Sequence, residues 1–93
     1  MKNEDIVLIV KNILLKEWDP IVINSNPNLH DEYDNYVMPV INNLIIGITI
    51  KELADFLYKI EEEDIGMSGD FNTCSKVAGI LKKAFDNYMQ IKN

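Results

Sequence analysis

Apolar residues recur at three- and four-residue spacing in four separate blocks of this 93-residue chain. That period, more than any motif, limits what the chain can fold into, because it places one apolar stripe on each of several helices. The clearest block follows Thr49-Ile50-Lys51-Glu52. In this capping box, threonine and glutamate each satisfy a backbone donor that the first helical turn leaves open. Ile50, Leu53, Ala54, Phe56, Leu57 and Ile60 then predict a helix that ends near Asp64, before Gly66. Upstream, Ile6, Ile9, Val10, Ile13, Leu14 and Trp18 predict a helix from about Asn3 to Glu17, with Asn3 as N-cap and Glu4 and Asp5 at its positive end. Trp18-Asp19-Pro20 ends it, since proline pushes the preceding residue toward extended backbone.

Residues 20–30 hold two prolines and read as a loop with Ile21 and Ile23 tucked inward. Tyr33, Tyr36, Val37, Val40, Ile41, Leu44 and Ile45 predict a helix over Asp31 to Ile46, with a bend or break at Pro39 and a stop at Gly47. The last stripe, Cys74, Val77, Ala78, Leu81, Ala84, Phe85, Tyr88 and Met89, predicts a helix to about Gln90, capped by Asp70 or Asn72. Lys82, Lys83 and Lys92 fall toward its C-terminal end, which favours cations. The expected fold is therefore all-α: a single small domain over residues 1–93, four helices around one aliphatic core. At 47% hydrophobic and 26% charged, the composition suits such a core and argues against disorder.

The same inventory narrows function. Fifteen acids oppose nine bases, all lysine, for a net charge of −6, so nucleic acid is not an expected partner. No stretch approaches the roughly 18 apolar residues of a membrane span, and no signal peptide is visible. A lone Cys74 leaves no internal disulfide or cysteine zinc site and fits a reducing, cytoplasmic setting. It reads as a small core residue. Catalysis would have to start from His30 beside Asp31, with Ser25, Ser68 or Ser75 as nucleophile, yet no G-x-S-x-G turn occurs. Consecutive acids at Glu61-Glu62-Glu63-Asp64 point in different directions on a helix and lack the alternating ligands of a calcium loop. No catalytic residue, metal site or cofactor is expected.

Charge is distributed unevenly. Residues 17–70 carry twelve acids against two lysines, a balance of −10, which leaves +4 on the two flanks. Such an asymmetry serves solubility, or presents an acidic face to a basic partner and speeds their encounter. The candidate contact residues are Asp31, Glu32, Asp34, Glu61, Glu62, Glu63, Asp64 and Asp70, with Tyr36 as an aromatic anchor. Trp18 is expected to fill the core at the first helix exit, with Asp19 capping or bracing the following loop. Tyr33 and Tyr36 remain open between core and anchor.

Trp18-Asp19-Pro20, Asp31-Glu32-Tyr33-Asp34-x-Tyr36, Ile41-x-x-Leu44 and Gly47 together resemble a family of small bacterial all-helical proteins of unknown function. The likeness spans residues from about 6 to 85 and departs from the family pattern at Pro39 and in the absence of a glycine soon after W-D-P. Similar proteins occur beside polymorphic and contact-dependent toxins, where small acidic proteins serve as immunity factors. The resemblance thus implies an immunity-type protein that binds a cognate toxin domain with a basic active-site surface, a nuclease by preference. The alternative is a stand-alone regulatory or scaffold domain, a homodimer joined through an apolar helix face.

Overall fold

The capping box forms as the sequence dictates. Thr49 accepts from the Glu52 backbone N–H at 3.1 Å, and the Glu52 carboxylate accepts from the Thr49 N–H at 3.1 Å. In the computed structural model, which describes residues 3–18, 33–65 and 70–92, this box opens the third of four helices, and the described residues are all-α. Helix α1 spans Asn3–Ile13 and runs on as a π-helical segment, Leu14–Trp18. Helix α2 spans Asp34–Ile45. Helix α3 spans Ile50–Lys59 and also continues as a π-helical segment, Ile60–Ile65. Helix α4 spans Phe71–Lys92.

The wider π turns have a visible consequence for packing. Leu14, Leu15 and Trp18 are all buried in the first, and the adjacent residues Ile60 and Glu61 are both buried in the second. The i→i+5 bonding of a π turn holds extra residues per turn, so neighbouring side chains share one face.

Of the bend or break expected at Pro39, the break does not occur: helix α2 is continuous through it. Pro39 and Asn35 are both on the solvent side, so water can take the Asn35 carbonyl that proline cannot bond. The helix stops at Gly47, which holds φ +85°, while Ile46, Gly47 and Ile48 donate to the carbonyls of Asn42, Leu44 and Asn43. Asp70 caps α4: its Oδ1 accepts from the N–H groups of Asn72 and Thr73, and its Oδ2 from the Thr73 hydroxyl at 2.7 Å. Lys82 does not serve the end of its own helix as expected. It donates to the Ile48 carbonyl and ties α4 to the turn between α2 and α3.

One contiguous core draws on every helix: Val10, Leu14 and Trp18; Tyr33, Val37, Val40 and Leu44; Leu53, Ala54 and Leu57; Cys74, Val77, Ala78 and Leu81. Helix α3 packs most extensively on α4, and α1 lies against both α2 and α4. Ala54 and Ala78, both fully buried, keep bulk out of the core they share. Ile50, assigned to the stripe by spacing, is instead exposed. It is the first residue of α3.

Candidate partner-binding surfaces

The structure separates the sequence-derived contact residues into groups with different surroundings. Asp31 and Glu32 lie outside the described residues, as do His30, Asp19-Pro20 and the loop that contains them. Asp34 is exposed at the start of α2, where its carboxylate meets the Lys11 ammonium at 3.2 Å. The side chain of Asp64 is not among those described. Asp70 is exposed, but its carboxylate is occupied as the α4 cap, and the bonds from Thr73 and Asn72 hold it below the usual carboxylate range.

Glu61 departs furthest from expectation. Read as part of a solvated acidic run available to a partner, it is buried, at 5% exposure, and cannot serve as a surface contact. Its Oε2 accepts from the Trp18 indole N–H at 2.7 Å and from the Cys74 thiol at 3.3 Å, and its Oε1 accepts from the Asp70 backbone N–H at 3.0 Å. The two π-helical segments therefore meet through one carboxylate, which also fixes the entry to α4. Burial, then the Glu61 bond and charge, push the Cys74 thiol up to about 12, so it stays a neutral donor. The physical reason for the inward turn is positional. Glu61 follows Leu57 by four residues and Leu53 by eight, on the same stripe. The period that identified the core was thus also the signal that could have found it.

Trp18 fills the core as expected and packs against both tyrosines. Tyr33 is buried with its ring centroid 5.4 Å away; Tyr36 is half-buried and meets the indole edge-on at 6.0 Å. Tyr36 then reaches a shallow open cleft between α2 and the end of α3, bounded by Asn35, Pro39, Phe56, Ile60 and Glu63. Two of the residues singled out from sequence, Tyr36 and Glu63, thus come together although 27 positions apart. Glu63 is exposed and has no ion pair among the described residues. Lys59 sits beside it along the same edge. Glu62 raises the pKa of Tyr58, through hydrogen bonding with the hydroxyl first and the carboxylate charge second.

A second surface was not recognised from spacing. Helices α1, α2 and α4 border a groove of about 440 Å³ lined by Ile6, Val7, Met38, Ile41, Ile45, Phe85, Tyr88 and Met89. Met38 is 51% exposed, Ile45 64% and Met89 37%. Met38, Ile41 and Ile45 form a second apolar row on α2 beside the core row, at three- and four-residue spacing.

Among the described residues no three His, Cys, Asp or Glu side chains are placed to hold a metal ion, and no helix is long and apolar enough to cross a membrane. No family model, curated protein or solved structure matches the chain. The surfaces themselves therefore carry the functional argument.

Proposed function

We propose that this protein acts by contact, as an immunity-type inhibitor that binds and neutralises a cognate toxin domain with a basic surface, a nuclease by preference. The observation that carries the reading is the convergence of Tyr36 and Glu63 on one open cleft in a chain of net charge −6. A half-buried aromatic ring provides an anchor, and an unpaired carboxylate beside it suits a lysine or arginine of the partner. The acidic face is smaller than the residue count implies. Asp34 and Asp55 are paired with Lys11 and Lys51, Asp70 caps a helix and Glu61 is buried. The net charge supports encounter, and the cleft supports register.

The test is co-purification with the product of the gene immediately upstream, and protection of cells expressing that product. Glu63→Lys should slow association and flatten its salt dependence. Absence of a toxin gene nearby, or a complex indifferent to Glu63→Lys and to salt, would sink the reading. The apolar groove favours a second reading, a regulatory or scaffold domain that pairs with another copy of itself. Self-association that survives high salt in sedimentation would support it.

A further inference from the structure

We draw no further inference here: the strongest candidate, the apolar groove that α1, α2 and α4 border around Met38, Ile45 and Met89, carries nothing because nothing in the structure shows what covers it.

Discussion

Replacing Glu61 separates a surface acid from a buried structural one. In Glu61→Ala the Trp18 indole N–H loses its acceptor inside the core, and the Cys74 thiol loses the same oxygen. The Asp70 amide, only partly buried, recovers a bond to water. A hydrogen bond to a charged group contributes about 1.5–3 kcal/mol, and the orphaned indole with the space left by the Cγ methylene and the carboxylate brings the expected loss to about 3–5 kcal/mol. A chain of this length has roughly 5–14 kcal/mol of stability in all, so the alanine variant should sit near the edge of folding. Glu61→Gln keeps the volume but has one acceptor oxygen where the structure uses two. Its amide group must face either the indole N–H or the Asp70 N–H, and the second orientation costs about 1–2 kcal/mol. With a urea dependence of about 1 kcal/mol per molar, that moves the unfolding midpoint down by about 1–2 M. Trp18 is the only tryptophan, so its fluorescence reports the contact, and far-UV circular dichroism reports the helices independently. Should both variants unfold within about 0.5 kcal/mol of the parent, the size expected of an ordinary surface change, Glu61 would be the solvated acid its neighbours suggest and the account of the two π turns would be wrong.

Two further perturbations test other parts of the argument. Gly47→Ala meets no neighbouring atom but must hold φ near +85°, so it should cost about 1–2 kcal/mol by denaturant titration through backbone strain alone. Cys74 should resist a thiol reagent at pH 8 until the protein is unfolded. Its pKa is raised from an ordinary 9.0 to about 12, so the folded state prefers the protonated thiol. That preference is intact below pH 9 and should be lost as pH climbs toward 12, with the raised Tyr58 and Tyr88 hydroxyls acting in the same direction. Rapid labelling of native protein, or alkaline stability that rises over that range, would contradict the buried environment.

The helices themselves were legible because each depends on local rules. The Thr49–Glu52 box, the Asp70 cap and the Gly47 stop involve residues within a few positions of one another, and the apolar period names the buried face of each helix. Pro39 shows where a local rule yields. Its missing bond falls on the wet side of α2, so the helix continues. The acidic middle of the chain was legible only as a count. Its members go to an ion pair, a cap, a buried hub and an open cleft, because each carboxylate's role depends on which helix face it occupies and what lies opposite.

By itself, then, the sequence determined four amphipathic helices, the capping box of α3, the Gly47 stop and the all-α class, all consequences of spacing along one chain. Spacing places Glu61 on the buried stripe, but tertiary structure alone decided that it bonds to Trp18 and Cys74, that Tyr36 meets Glu63, and that Met38 and Ile45 face Phe85 and Met89 across a groove. Those pairings join residues 13 to 51 positions apart, and their energies come from packing between helices, which no local pattern encodes.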